Sequence, residues 1–127
     1  MTKRTRSTVL MAAILSLSLP ALAHEAEKGP NGGAILDVKG HHIELVATPG
    51  ALTFYLTDEN VAPITSTGTK MKAIVQDGGK TTQLDLSPED PNKLTVKTAA
   101  PVGSGAKVVV TGTLPDGHKL QGRFVIP

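Results

Sequence analysis

The sequence has no cysteine and no tryptophan, and its aromatic residues are one tyrosine and two phenylalanines. Without cysteine, a disulfide framework and a thiolate metal site are both excluded. The scarcity of aromatic residues and the lack of a basic stripe argue against a nucleic-acid partner. The folded protein must therefore depend on an aliphatic core, which a chain of this length can build as one domain.

Long apolar runs are also scarce, and the only one, Val9–Leu19, lies near the N terminus. Basic residues precede this run, and the sequence Ala-Leu-Ala ending at Ala23 follows it, which is the pattern of a Sec-type signal peptide. The run is too short to cross a bilayer as an anchor. We therefore expect residues 1–23 to be removed, leaving a periplasmic protein that begins at His24.

The predicted cleavage changes the charge of the protein. Loss of Lys3, Arg4 and Arg6 lowers Lys plus Arg from 13 to 10, against 11 Asp plus Glu, so the formal charge goes from +2 to −1. The basic character of the full sequence therefore belongs largely to the targeting segment.

Turn residues divide the rest of the chain into short apolar or alternating segments. The predicted strands are 34–38, 43–47, 52–57, 61–64, 70–76, 81–86, 93–98, 107–113 and 118–126. No segment has the periodicity and caps of a long helix. The spacing predicts an all-β fold, a single antiparallel β-sandwich of immunoglobulin-like shape over residues 34–127. Residues 24–33 are predicted to be a flexible N-terminal segment.

Alternation along the second strand predicts the direction of its side chains. Ile43, Leu45 and Ala47 share one face, assigned to the core, while His42 and Glu44 are expected to point outward from the other. The residues predicted to be largely buried are Ile43, Leu45, Phe54, Val108, Val110 and Phe124.

Three of the four histidines, His24, His41 and His42, lie inside or just before the stretch 29–46. Cleavage would expose the amine of His24 beside its imidazole, and copper(II) favours such a pair of nitrogen ligands. Either His41 or His42 would complete the site, and Glu44 would orient the imidazole of His42 or ligate directly. The sequence thus predicts a metal site of these four residues, with a copper ion as the cofactor.

The remaining chemistry-bearing residues are not assigned a function. His118 follows a Pro-Asp-Gly turn and is expected to be an exposed hairpin residue. The glycine-rich residues 29–33 lack the Lys-Ser/Thr ending of a phosphate loop, and no nucleophile motif is present. An enzyme is therefore not the favoured interpretation.

The sequence GPNGG at 29–33, a short strand, a turn and HHIELV at 41–46 resemble small secreted bacterial proteins of unassigned role. They also resemble the N-terminal periplasmic domain of membrane-fusion (adaptor) subunits of heavy-metal efflux pumps. The resemblance implies a β-sandwich and a partner among the periplasmic components of a metal efflux system. The adaptor domains often have histidine where this chain has Asn31, so that position is not carried over as a ligand.

Three functions are compatible with the sequence. The favoured one is a periplasmic module that binds a transition metal, with copper first, and buffers it or hands it to an efflux system. The second is a metal-free module that docks on a periplasmic partner through its sheet faces or edge. The third is a copper-dependent redox enzyme, which turnover with oxygen or peroxide would reveal.

Overall fold

The computed structural model describes residues 27–127, so the predicted signal peptide and His24 lie outside the described residues. The strands are β1 Ala34–Val38, β2 His41–Thr48, β3 Ala51–Asp58, β4 Lys70–Asp77, β5 Lys80–Asp85, β6 Ser87–Glu89, β7 Lys93–Lys97, β8 Lys107–Thr113 and β9 Lys119–Val125. Within residues 27–127 no helix is long and apolar enough to cross a membrane.

The strands form two antiparallel sheets that pack face to face. One sheet has the order β1-β2-β3-β7-β6 and the other β5-β4-β8-β9. If β2, β3, β7 and β6 are taken as strands A, B, E and D, and β4, β8 and β9 as C, F and G, the order is that of an immunoglobulin domain, with β5 beside C. The predicted immunoglobulin-like β-sandwich is confirmed.

The observed strands differ from the predicted ones at two places. The segment 61–64 forms only an isolated bridge at Pro63, and Val61 has a φ of 64°, a left-handed conformation that β-branched residues rarely adopt. The short strand β6 lies between the predicted strands 81–86 and 93–98, where no strand was predicted. Because Pro88 has no N–H to donate, this short strand occurs only at the edge of the sheet, beside β7.

The core lies between the two sheets and contains all six residues predicted to be buried. The rings of Phe54 and Phe124, from facing sheets, meet edge to face with centroids 6.0 Å apart. The prediction for Ala47 was wrong, because this residue is exposed. Ala47 and Thr48 are the last two residues of β2, and both are exposed to solvent.

At one edge of the sandwich, β1 of the first sheet contacts β9 of the second. Gly122 allows this approach, since a Cβ atom at that position would lie 3.2 Å from Leu36 Cδ1. The contact matters for function because the turn after β1 and the turn before β9 meet at the same end of the sandwich.

Candidate metal centre

The first half of the candidate site is the β1–β2 hairpin. Its two turn residues, Lys39 and Gly40, have φ values of 54° and 79°, as a type I′ turn requires. The carboxylate of Asp37 accepts a hydrogen bond from Gly40 N at 3.1 Å and tightens the turn. This compact turn places His41, the first residue of β2, half-buried at the end of the sandwich.

The second half is the turn between β8 and β9. Gly117 N donates to Leu114 O at 2.9 Å, and Leu114 N donates to His118 O at 2.8 Å. Within this turn Asp116 Oδ1 accepts a hydrogen bond from His118 N at 2.9 Å, and Asp116 Oδ2 lies 2.8 Å from His118 Nδ1. The turn therefore holds an imidazole and a carboxylate together at the surface.

The two halves bring together His41, Asp116 and His118. One ligand atom from each residue lies within 4.8 Å of the others, and the two imidazole centroids are 5.7 Å apart. The Nδ1 atom of His41 is shielded from solvent and has no hydrogen-bond partner among the described residues. Two imidazoles and a carboxylate are the donors that zinc, copper(II) and nickel(II) accept in proteins.

The electrostatics of the turn also favour a cation. The pKa of Asp116 is lowered from its usual value, first by the hydrogen bond from the backbone N–H of His118. The hydrogen bond and charge of the His118 imidazole and the charge of His41 act in the same direction, while desolvation opposes them. Asp116 is therefore a fixed anion beside two imidazoles.

The contacts of Asp116 indicate how the site would use His118. Both carboxylate oxygens already face His118, one at the backbone N–H and one at Nδ1. A carboxylate on one imidazole nitrogen orients the ring and leaves the other nitrogen for the metal, as in many metalloproteins. A metal held in this way would use His118 Nε2 and a His41 nitrogen, with Asp116 orienting the His118 ring.

His42, also predicted as a ligand, points away from this cluster. It alternates with His41, so its side chain lies on the opposite face of the strand. Its Nε2 atom is 3.9 Å from Asp37 Oδ2, on the residue directly across the β1–β2 pair. The structure therefore separates the two adjacent histidines.

Glu44 was expected to point outward together with His42, but it is buried. Its side chain is only 2% exposed, because the loop formed by residues 29–33 covers the carboxylate. Oε1 accepts hydrogen bonds from Asn31 N at 2.8 Å and Gly33 N at 2.9 Å, and Oε2 accepts one from Asn31 Nδ2 at 3.0 Å. We call this set of contacts the Glu44 clamp. The prediction of a flexible segment over 24–33 did not anticipate it.

Of the four residues proposed as ligands, the structure thus places only His41 in the cluster, and His24 lies outside the described residues. Asp116 and His118 were missed because they are distant from His41 in sequence. The available signal was the Asp-Gly-His sequence, whose i and i+2 positions bring a carboxylate onto an imidazole in a tight turn.

No protein-family model, curated protein or solved structure matches this chain. The function is accordingly argued from the geometry of the site.

Proposed function

We propose that the protein is a periplasmic module that binds a transition-metal ion, with copper(II) as the favoured metal, and that it serves metal efflux or homeostasis. The observation that supports it is the convergence of His41, Asp116 and His118 from two different sheets. The efflux role and the periplasmic location rest on the sequence resemblance and the predicted signal peptide.

The donor set favours copper(II) among common divalent ions. Affinity for nitrogen and oxygen ligands rises along the first-row series to copper and is lower for zinc. Asp116 and His118 are exposed and His41 is half-buried, so a bound ion would remain accessible from solvent. An accessible ion can be passed to a partner, which suits a buffer or carrier better than a permanent structural site.

Replacing His41 or His118 with alanine is expected to weaken copper(II) binding by at least about tenfold, because each removes one ligand nitrogen. His42→Ala is the matched control, since His42 is the chain neighbour of His41 and faces away from the cluster. Calorimetric titration of the protein without residues 1–23 would measure all three variants. Binding should also weaken on acidification, because protons compete for imidazole nitrogens.

If His41→Ala, His118→Ala and His42→Ala all bind copper(II) as tightly as the unsubstituted protein, the metal site is contradicted. The metal-free docking module would then be the better explanation, with the exposed Val125 on the edge strand β9 as a contact candidate. Thermal unfolding serves as the folding control. The exposed His118 should be replaceable with a change in unfolding free energy within about 0.5 kcal/mol.

The periplasmic location makes a separate prediction. Export and cleavage after Ala23 should produce a protein that begins at His24, in the periplasmic fraction. Intact-mass spectrometry of that fraction would detect it. Recovery of the uncut chain would contradict the proposed processing and leave the amine of His24 in a peptide bond.

A further inference from the structure

The outer face of the sheet β5-β4-β8-β9 carries a concentration of positive charge. Along β4, β8 and β9, buried residues alternate with residues that point away from the core. Five of the outward positions are basic and exposed, and we call them the basic face: Lys70, Lys72, Lys107, Lys119 and Arg123.

The strand register arranges the basic face as a compact array. Lys70 and Lys119 pair with the same residue of β8 at one end of the sheet. At the other end Lys107 pairs with Val125 of β9. Three strands about 4.8 Å apart, with a rise of about 3.3 Å per residue, place all five cations in a patch of about 10 by 20 Å. Neighbouring cations are separated by roughly the screening length of about 8 Å at physiological ionic strength, so their potentials add.

The charge of this face does not reflect the composition of the folded part of the chain. The totals of 13 basic and 11 acidic residues fall to ten each when residues 1–26, with three basic residues and one acidic residue, are excluded. Half of the ten basic residues lie on the basic face. The one carboxylate that this face carries within residues 27–127 is Asp85, whose Oδ1 lies 3.8 Å from Lys72 Nζ. The face therefore has a formal charge of +4 on a chain segment whose formal charge is zero.

The outer face of the opposite sheet has no such imbalance. Its strand register places two lysines there against three carboxylates within the described residues: Lys93, Lys97, Asp37, Glu44 and Glu89. The two outer faces of the sandwich thus differ in the sign of their charge.

No basic run marks this face in the sequence, because its residues come from three strands and alternate with core residues. Lys107 and Arg123, for example, precede Val108 and Phe124, which are buried. The sequence-based argument against a polyanionic partner therefore does not extend to this surface.

The side chains of the basic face favour an anionic lipid bilayer over an acidic protein or a nucleic acid. Four of the five cations are lysines, which protein interfaces deplete, and neither phenylalanine nor tyrosine lies on this face of the described chain. Single-stranded nucleic acid would need such rings for stacking. Lipid phosphates attract clustered lysines without directional contacts. Val125, 61% exposed beside Lys107, adds an apolar side chain that can enter the headgroup layer.

We propose that the basic face docks the protein reversibly on an anionic phospholipid bilayer, with its cations at the headgroup phosphates and Val125 directed into the lipid surface. Each Lys or Arg near an anionic bilayer strengthens binding roughly fivefold, so the attachment depends on salt and is reversible. The proposal stands independently of the metal site, because it uses none of its residues.

The test is sedimentation with vesicles of phosphatidylglycerol and phosphatidylcholine in equal parts, compared with vesicles of phosphatidylcholine alone. The protein without residues 1–23 is used, because the basic residues of that segment would bind the same vesicles. Its formal charge is −1, so the molecule as a whole is not attracted to them. Binding should be at least about tenfold tighter to the anionic vesicles and should be lost as sodium chloride is raised to about 0.5 M.

Two double variants locate the contact. Lys107→Glu/Arg123→Glu should weaken binding to the anionic vesicles by at least about tenfold, because it reverses two charges of the basic face. Lys93→Glu/Lys97→Glu changes the total charge equally on the opposite face, and there the loss should be less than about threefold. Circular dichroism checks that both variants fold. Lys107→Gln/Arg123→Gln, which adds no new charge, replaces the first variant if it does not fold and should also weaken binding.

The role of Val125 can be followed by fluorescence because the chain has no tryptophan. The emission of Val125→Trp should shift to shorter wavelength when the anionic vesicles are added. Ser87→Trp is the matched control, since Ser87 is exposed on the outer face of the opposite sheet and its emission should not shift. A shift in Ser87→Trp alone would overturn the assignment of the contact to the basic face.

The remaining outcomes also decide the proposal. Absence of binding to the anionic vesicles, or equal binding to the neutral ones, would overturn it. Equal losses in the two double variants would show a response to total charge and would overturn the basic face as the contact. Tighter binding to duplex DNA than to the vesicles at the same ionic strength would overturn the choice of a bilayer as the partner.

Discussion

Phe124→Ala is expected to lower the free energy of unfolding by about 3–5 kcal/mol, the usual cost of removing a buried ring. Phe124 is 3% exposed and its ring meets that of Phe54, which is fully buried, across the interface of the two sheets. Phe54 already packs in the core, and Tyr55 follows it on the opposite face of β3, so neither ring is available to fill the space. The loss therefore combines transfer of the ring to water with a cavity at the centre of the core.

Val125→Ala is the control for this measurement. Val125 is the next residue of β9, but its side chain is 61% exposed, so its removal should change stability by no more than about 0.5 kcal/mol. Urea unfolding followed by circular dichroism gives both free energies. A loss below about 1 kcal/mol for Phe124→Ala would mean that the ring does not belong to the core.

Glu44→Gln is expected to cost about 3 kcal/mol of stability even in the absence of metal. The clamp consists of three hydrogen bonds to one carboxylate, and a hydrogen bond to such a group is worth about 1.5–3 kcal/mol. Glutamine keeps the shape of the side chain, but its NH₂ group cannot accept a hydrogen bond and would face donors on Asn31 or Gly33. Even if the Asn31 amide rotates to turn its oxygen toward that NH₂ group, the three hydrogen bonds to a carboxylate are replaced by weaker ones to a neutral amide.

The comparison with Glu59→Gln separates this effect from the loss of a negative charge. Glu59 lies exposed in the loop after β3, so the same substitution there should be nearly neutral. Unfolding of metal-free protein in urea measures both variants. Equal stability of Glu44→Gln and the original protein would show that the 29–33 loop does not depend on the carboxylate.

The fold could be predicted where the alternation of apolar and polar residues in a strand matches the burial of its side chains. In β8 and β9, alternation marks Val108, Val110 and Phe124 for the core, and the structure buries all three. The pattern fails where a strand leaves the shelter of the facing sheet, as at Ala47. It also fails at β6, which forms because β7 offers an unpaired edge and not because Ser87–Glu89 favours a strand.

The candidate site was predictable only in part, because sequence shows neighbours along the chain and not across the sandwich. His41 could be identified as a residue at the open end of β2, but its partner His118 depends on how the two sheets pack. Glu44 illustrates the opposite limit. Alternation correctly placed it on the face of β2 away from the core. The loop that covers this face could not be inferred from the two-residue alternation of the strand.

The distance in sequence between His41 and His118, 77 positions, has a consequence for when an ion can be acquired. The two imidazoles meet only after both sheets have formed and packed together. Under the proposed function, an ion would therefore be loaded in the compartment where folding ends, and a chain exported in an unfolded state would carry no metal across the membrane.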